Sequence, residues 1–277
     1  MKIKITYLTI GSSKVKNKTR IFHASDLHGN AYLTASMIPI IKEANPNTLC
    51  ITGDIVETSR DSHAEIVKTL EEVSSSYKTY YVSGNHDDSY KDTTWKYEKN
   101  NKLHHDLKNI NVELLENNKP KIDEVSNVCF NGYNIPYKYY TAKNGGDSLE
   151  EIYNKDICEI PNDYYNILLT HVDQLKKTRN ELILSGHYHN GIVKLPFNTG
   201  LIRPGKGGII PCYPIQLRAH GVIKKYNSIH VINGALSKVA SNFINAILHP
   251  DLVVIDLIPY PASDNIILSK KITNKRI

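Results

Sequence analysis

The sequence predicts an α/β fold, and two patterns along its 277 residues support that prediction. In the N-terminal half, short apolar runs rich in β-branched residues alternate with segments of helical periodicity, which is typical of a β-loop-α arrangement. In the C-terminal half, short strand-like runs follow one another. No internal repeat, coiled-coil pattern or low-complexity segment interrupts this organisation.

In the first half, each predicted strand leads directly to a polar residue. These strands and the residues that follow them are 21–24 before Asp26, 48–52 before Asp54 and 79–82 before Asn85. Helical periodicity occurs in residues 33–44 and again after Ser62, where the sequence Ser-His-Ala-Glu forms a capping box. Because the catalytic loops of α/β folds follow the carboxyl ends of strands, these polar residues are candidates for a functional site.

In the second half, seven strand-like runs predict further sheet structure. They cover residues 128–133, 166–170, 182–184, 191–195, 222–223, 229–232 and 252–258. The opening segment of the chain alternates in the manner of a strand and lacks the apolar core of a signal peptide. No apolar run approaches the roughly 18 residues that cross a membrane. We therefore expect one domain over residues 1–277, a cytoplasmic location and no transmembrane segment.

The composition fits one sizeable core in a basic protein, with 40% hydrophobic residues, 22% charged residues and a net charge of +6. A positive surface attracts anionic substrates by long-range steering. The basic chain end (Lys270, Lys271, Lys275 and Arg276) lacks interleaved aromatic residues, so we expect a solvated, frayed tail and not a nucleic-acid site. The four cysteines form no C-x-x-C pair and are expected to be reduced core thiols. They are Cys50, Cys129, Cys158 and Cys212.

Five short fragments with metal-binding side chains occur in one order along the chain. They are Asp26-x-His28, Gly53-Asp54, Gly84-Asn85-His86-Asp87, His171 and Gly186-His187-x-His189. Taken singly, each has an ordinary structural explanation, such as a turn at Gly84. Taken together at strand ends, they indicate a two-metal hydrolase of phosphoesters. Their carboxylate, imidazole and carboxamide groups suit manganese, iron, zinc, nickel or cobalt, and such chemistry needs no organic cofactor.

These fragments and their order resemble the calcineurin-like metallophosphoesterases over about residues 20–258, and within that family the bacterial phosphodiesterases of the YkuE and YaeI type. Their usual Gly-His-x-His-Gly-Gly-Gln stands here at residues 186–192, with departures at Asn190 and Ile192 that spare both histidines. The resemblance implies the metallo-dependent phosphatase fold, a four-layer αββα sandwich of two mixed β-sheets flanked by helices. It also implies a metal site on the loops at one edge, where both sheets meet.

The resemblance further implies a ligand set for two divalent ions. Asp26, His28 and His189 would hold the first ion, and Asn85, His171 and His187 the second, with Asp54 bridging both. Two such ions lie about 3.5–4 Å apart, and a hydroxide that bridges them is the expected nucleophile. Manganese is the ion that we expect to support activity in vitro.

His86 follows the ligand Asn85 and is the expected general acid for the leaving alkoxide. Two acidic residues compete as its partner, Glu57 and Asp87. Thr58 stands where related protein phosphatases have an arginine, which disfavours a phosphoprotein substrate. A phosphodiester, a pyrophosphate or a small phosphomonoester is therefore the expected substrate.

Two other functions remain as alternatives. The same fold can serve as a protein-binding scaffold when its metal ligands or catalytic histidine are lost, but the set is complete here, and no obligate protein partner is evident. Nucleases of the superfamily usually add a capping domain after the last histidine pair. Only 88 residues follow His189, and predicted strands occupy much of that length, so a nucleic-acid substrate is disfavoured.

Overall fold

The computed structural model describes most of the chain. The described residues are 2–57, 63–88, 90–91, 97–98, 101–135, 153–154, 160–173, 178–189, 194–195, 199–200, 202–205, 208–211, 220–236, 250–261 and 265–276. Several sequence positions discussed above lie outside them, namely Thr58, Ser62 of the predicted capping box, residues 190–192, Cys158 and Cys212.

The N-terminal half alternates strands and helices, as the sequence predicts. Its elements are β1 (Lys2–Ser12), β2 (Thr19–Ala24), α1 (Ala31–Ala44), β3 (Thr48–Thr52), α2 (Ala64–Ser74), β4 (Lys78–Val82), α3 (Asn85–Asp88), β5 (Tyr90–Lys91), β6 (Tyr97–Glu98), α4 (Asn101–Asn109), β7 (Val112–Leu114) and β8 (Lys121–Asp123).

The C-terminal half is rich in strands, again as predicted. Its strands are β9 (Val128–Tyr133), β10 (Tyr165–Thr170), β11 (Leu182–Ser185), β12 (Lys194–Leu195), β13 (Thr199–Gly200), β14 (Ile202–Gly205), β15 (Gly208–Pro211), β16 (Gly221–Lys225), β17 (Ser228–Ile232), β18 (Asp251–Pro259) and β19 (Ile266–Arg276).

The first sheet has seven strands in the order β19-β1-β18-β2-β3-β4-β7. Strands β2, β3, β4 and β7 run parallel, while β18 pairs antiparallel with β2 and parallel with β1. In the register of this sheet, His23 pairs with Cys50, and Cys50 with Tyr80. The carboxyl ends of β2, β3 and β4 therefore lie side by side at one edge.

The second sheet has six strands in the order β16-β17-β11-β10-β9-β8. Its four central strands are parallel, and the outermost strand on each side is antiparallel to its neighbour. Leu168 pairs with Ile183, and Ile183 with His230. The carboxyl ends of β10 and β11 are thus neighbours as well.

The two sheets pack face to face, and alternate residues of each strand point to opposite faces. In β4, Tyr80 joins the apolar core between the sheets, while Tyr81 joins the core between the first sheet and the helices. Helices α1, α2 and α4 bury residues such as Met37 and Leu70 in the core between the first sheet and the helices. The outer face of the second sheet is covered by a third apolar cluster, which includes the helical residue Tyr153. This arrangement confirms the predicted α/β sandwich of two mixed sheets.

Helix α1 begins and ends where its sequence provides capping groups. Oδ1 of Asn30 accepts a hydrogen bond from the Leu33 amide at 3.0 Å, and Asn45 closes the helix in the left-handed conformation. The turn immediately before this helix contains His28, so the cap also fixes the start of a candidate site loop.

The expectation of a frayed basic tail is wrong. Residues Ile266–Arg276 form the edge strand β19, which pairs antiparallel with β1 along most of its length. Lys270 and Lys271 lie exposed on this strand, and lysine on an edge strand discourages pairing with another chain.

Two further observations bear on the sequence predictions. Cys50 and Cys129 are buried free thiols, as expected. No helix among the described residues is long and apolar enough to cross a membrane.

Candidate metal centre

The predicted ligands come together at one edge of the sandwich. Asp26, Asp54 and Asn85 follow strands β2, β3 and β4 of the first sheet, and His171 and His187 follow strands β10 and β11 of the second sheet. Since β2, β3 and β4 run parallel to one another, as do β10 and β11, their carboxyl ends lie at one edge of each sheet. The loops that follow these strands meet where the two sheets meet.

Asp26, His28 and His189 form one cluster of facing ligand atoms. Nε2 of His28 lies 3.1 Å from Nε2 of His189, which in turn lies 3.4 Å from Oδ1 of Asp26. Two ligands of one ion with bonds of about 2.0–2.1 Å stand about 3 Å apart. The cluster therefore has the spacing of ligands that converge on a single cation.

Asp54, His171 and His187 form a second such cluster. Nε2 of His171 lies 3.2 Å from Oδ2 of Asp54 and 3.2 Å from Nδ1 of His187. The same Oδ2 of Asp54 lies 3.8 Å from Nε2 of His28, which belongs to the first cluster. The carboxylate of Asp54 thus stands between the two groups of ligands.

Asn85 provides an independent indication of a cation. Its Oδ1 atom is buried and has no hydrogen-bond partner among the residues that the structure describes. A buried amide oxygen without a partner is costly, whereas a cation would satisfy it. Together with the oxygen and nitrogen donors of the two clusters, Asn85 makes a set that fits two divalent ions of the first transition row.

Five of the candidate ligands adopt backbone conformations that are uncommon for residues other than glycine. The φ angles are 54° at Asp26, 46° at His28, 52° at Asp54, 71° at His187 and 47° at His189. Positive φ at non-glycine residues costs free energy and tends to cluster at functional sites.

Hydrogen bonds between the loops hold these conformations. The amide of Asp26 donates to the carbonyl of Gly53 at 3.0 Å, and the amide of His28 donates to the carbonyl of Asp54 at 2.9 Å. The amide of His187 donates to Oδ2 of Asp26 at 3.0 Å, which joins the two sheets. The ligand loops therefore brace one another.

The glycine that precedes a ligand in three of the motifs is required by close packing. A Cβ atom on Gly84 would lie 2.1 Å from Oδ1 of Asp54, and one on Gly186 would lie 2.3 Å from Oδ2 of Asp26. A Cβ atom on Gly53, whose φ is +89°, would lie 2.6 Å from Nδ1 of His171. A side chain at any of these positions would clash with a candidate ligand or with the loop that carries it.

Buried charges shift the pKa values of the cluster in opposite directions. Burial opposes protonation of His28 and His171, but the neighbouring carboxylates outweigh it and raise their pKa values to about 9 and about 10. Burial lowers the pKa of His187 to about 3 and that of His189 to about 4. Burial opposes ionisation of Asp54, yet the neighbouring His171 keeps its pKa well below the usual value.

Protons and cations consequently compete for the same ring nitrogens. His28 and His171 must lose a proton before they can bind a metal ion, since only the neutral imidazole offers a lone pair. His187 and His189 are already neutral at physiological pH. We therefore expect that metal binding at this site releases protons.

His86 and Glu57 make a different contact from the one that the sequence suggests. Nδ1 of His86 donates to the main-chain carbonyl of Glu57. The carboxylate of Glu57 instead has its Oε2 atom 2.8 Å from Nδ1 of His28. Because a carbonyl only accepts, Nδ1 of His86 carries a proton and Nε2 is the ring atom left for chemistry.

Asp87 is buried and engaged by the main chain. Its Oδ1 atom accepts from the amides of Ile55 and Val56 at 2.8 and 3.2 Å, and its Oδ2 atom accepts from Gly84 at 3.0 Å. These bonds tie Gly84 and the short helix α3 to the loop that follows Asp54. The sequence suggested Asp87 as a partner of His86. Its side chain instead accepts hydrogen bonds from the main chain and holds the local structure in place.

The sequence did not point to one residue, Asn233, that supports the site. Asn233, at the end of β17, donates through Nδ2 to the carbonyl of His23 at 3.1 Å and through its amide to the carbonyl of Ser185 at 2.7 Å. It joins β2 of one sheet to β11 of the other, just below Asp26 and Gly186. The only signal in the sequence is an Asn-Gly pair after an apolar strand.

Solved structures share a distant likeness with this chain. Protein TT1561 of Thermus thermophilus aligns with 12% identity, covering 79% of this chain and 90% of its own, at a TM-score of 0.45. The calcineurin-like phosphoesterase YfkN from Bacillus subtilis aligns with 13% identity, covering 94% and 90%, at a TM-score of 0.39. YfcE, a phosphoesterase from E. coli, aligns with 13% identity, covering 81% and 84%, at a TM-score of 0.38.

Sequence comparison gives a closer match. An uncharacterized metallophosphoesterase of Bacillus subtilis strain 168, YkoQ, is 24% identical over 208 residues, which cover 69% of this chain and 68% of the relative. The profile of the family described as calcineurin-like phosphoesterase matches residues 19–191, well over half of the chain. That span contains every candidate ligand from Asp26 to His189.

Proposed function

The chain belongs to the calcineurin-like phosphoesterase family, whose members are phosphoesterase-type hydrolases, and from this premise we propose that it hydrolyses a phosphodiester, pyrophosphate or small phosphomonoester at a centre of two divalent metal ions. The observation that carries the proposal is the position of Asp54. Its carboxylate belongs to one ligand cluster and lies 3.8 Å from a ring nitrogen of the other. Two cations held close together need such a shared anion.

Six of the seven proposed ligands belong to the two clusters described above, and Asp54 and His28 also form a group with His86. Asp26, His28 and His189 would hold the first ion, Asn85, His171 and His187 the second, and Asp54 both. When bound, the two ions supply Lewis-acid chemistry that lowers the pKa of water and neutralises the charge of a phosphate group. The donor set accepts several first-row ions. Manganese is the ion that we expect to support activity in vitro, and it is our choice for the first assay.

His86 is the proposed general acid. With Nδ1 bound to the Glu57 carbonyl, Nε2 must carry a proton in the reactive form and deliver it to the departing oxygen of the substrate. The Asp54 carboxylate accepts a 2.9 Å hydrogen bond from the main-chain amide of His86, so the acid is fixed relative to the metal site.

Glu57 and Asp87 act through other residues in this proposal. The Glu57 carboxylate orients His28, as carboxylates behind metal-binding histidines commonly do. Asp87 fixes the short helix α3, which carries Asn85 and His86, through its bond to the Gly84 amide. Neither carboxylate needs to take part in proton transfer.

The proposed substrate is a small anionic molecule, and the proposed location of the protein is the cytoplasm. The net charge of +6 would favour encounter with such a molecule. Placement within the YkuE and YaeI group and a single domain over residues 1–277 remain predictions. A protein-binding scaffold is disfavoured because all seven candidate ligands and His86 are present, and those in the two clusters face one another.

The test is hydrolysis of bis-p-nitrophenyl phosphate and p-nitrophenyl phosphate by manganese-loaded protein, before and after chelation. We expect turnover that chelation abolishes and manganese restores. The ratio of diester to monoester turnover then assigns the substrate class. Full metal occupancy without hydrolysis of either compound would favour the scaffold instead.

A further inference from the structure

A second polar cluster lies behind the metal-binding loops, on the outer face of the second sheet. Its centre is Asp173, whose side chain is 1% exposed. Oδ1 of Asp173 lies 2.7 Å from Nδ1 of His230, and Oδ2 lies 3.3 Å from Nζ of Lys225. These contacts reach from the loop after β10, across β11, to the β16–β17 hairpin.

The surroundings make the pair between Asp173 and His230 strong. His230 is fully buried in the middle of β17, and the register places the apolar residues Ile183 and Ile223 on either side of it. Water is excluded there, so a hydrogen bond to a carboxylate is stronger than at the surface. The loop that carries Asp173 is therefore firmly attached to the sheet.

Asp173 also contacts the last histidine motif. Its main-chain carbonyl accepts a hydrogen bond from the Tyr188 hydroxyl at 3.4 Å. Tyr188 is 3% exposed, stands between His187 and His189, and packs edge-on against the ring of His187. One residue thus connects the loop of His171 with the loop of His187.

We propose that Asp173, anchored by His230 and Lys225, is a positioning residue that sets the separation of the metal ligands His171 and His187. Asp173 is two residues from His171 and is bound to the neighbour of His187. The rings of these two histidines stand 3.2 Å apart between Nε2 and Nδ1, a spacing that the loops must hold before a cation can bind both.

This inference rests on the proposed two-metal centre and adds a residue that supports one half of it. His171 is already oriented by the bond from Nδ1 to the Thr52 carbonyl at 2.7 Å. That bond fixes the tilt of one ring, whereas Asp173 fixes the distance between two loops. Partners behind metal ligands typically contribute about 10- to 100-fold to metal affinity.

The experiment measures manganese binding to the metal-free full chain by titration calorimetry. Asp173→Asn should weaken one of the two binding steps about 10- to 100-fold and leave the other unchanged. The weakened step should be the one that His171→Asn removes. Lys225→Met, which changes only the partner of Oδ2, should weaken the same step by a smaller factor and serves if Asp173→Asn folds poorly.

Tyr165→Phe is the matched control for lost stability. It removes a buried 2.8 Å hydrogen bond to Asn265 at the opposite end of β10 and should leave both binding steps intact. Equal weakening of both steps in Asp173→Asn, or no weakening beyond the control, would overturn the positioning role while leaving the metal centre standing. Fewer than two ions bound by the unaltered protein would overturn the metal centre and this inference with it.

Discussion

Glu57 and His28 form a close pair, with Oε2 of the glutamate 2.8 Å from Nδ1 of the histidine. The main-chain carbonyl of Glu57 contacts His86, which is the proposed acid. Glu57 therefore touches two histidines through two different groups. Changing its side chain should disturb only one of these contacts.

Glu57→Ala should weaken manganese binding about 10- to 100-fold, because His28 loses the carboxylate that orients it. The ratio of turnover on activated and unactivated leaving groups should stay as in the unaltered protein. Calorimetry measures manganese binding, and hydrolysis of a p-nitrophenyl and an alkyl phosphodiester gives the ratio. The control is Glu124→Ala, which alters an exposed glutamate. A loss confined to unactivated leaving groups would instead make the carboxylate the partner of His86.

His86→Ala should retain its metal ions and lose about 10²- to 10⁴-fold in turnover of an alkyl phosphodiester, because no proton reaches the leaving oxygen. With a p-nitrophenolate leaving group the loss should be much smaller, since that group departs without a proton. His105→Ala, which alters an exposed histidine of α4, is the control. Equal losses on both substrates would argue against a general acid.

Gly186→Ala should reduce metal content, because its Cβ atom would lie 1.8 Å from Oγ of Ser25 and 2.3 Å from Oδ2 of Asp26, and would push the loop that carries Asp26. Gly132→Ala is a matched control, since its Cβ atom would lie 2.2 Å from the carbonyl of Leu115, away from the site. Both variants should be destabilised in urea, but only the first should lose manganese in elemental analysis. Normal metal content in both would mean that the loop yields without moving Asp26.

The stability of chelator-treated protein should be greatest near pH 6.5, the ordinary pKa of histidine. His28 and His171 hold their protons up to about pH 9 and about pH 10, so the stability that they add is complete below 6.5 and is lost as the pH rises through those values. His187 and His189 remain neutral down to about pH 3 and about pH 4, so stability is lost as the pH falls towards them.

Urea unfolding across this range checks the profile. Saturating manganese should remove the alkaline loss, because cations then replace the two protons in the folded state. A stability that is flat on the alkaline side without metal would contradict the raised pKa values of His28 and His171.

Much of the fold was predictable because its strands have a simple pattern. The bounds of β3 and β9 agree with the apolar runs, and the parallel order of β2, β3 and β4 brings Asp26, Asp54 and Asn85 to one edge, as expected. The edge strand β19 was missed because its charged residues are exposed on both faces. Its stability comes from pairing with β1, a partner more than 250 residues away.

The fine structure of the site was beyond the sequence for a different reason. Positive φ at Asp26 and Asp54 is held by bonds between loops, and the modest preference of aspartate for this conformation does not predict it. The same holds for Asn233 and Asp173, whose contacts are with distant strands. Motifs identify the groups that carry chemistry, whereas the residues that hold them in place are defined only by the folded chain.

The central claim is that two cations share the carboxylate of Asp54. Anomalous scattering from crystals of the manganese-loaded protein tests it most directly. We predict two manganese peaks about 3.5–4 Å apart, one on each side of Asp54, with both weakened in Asp54→Asn but not in the exposed Asp163→Asn. A single peak, or two peaks that survive unchanged in Asp54→Asn, would contradict the shared site.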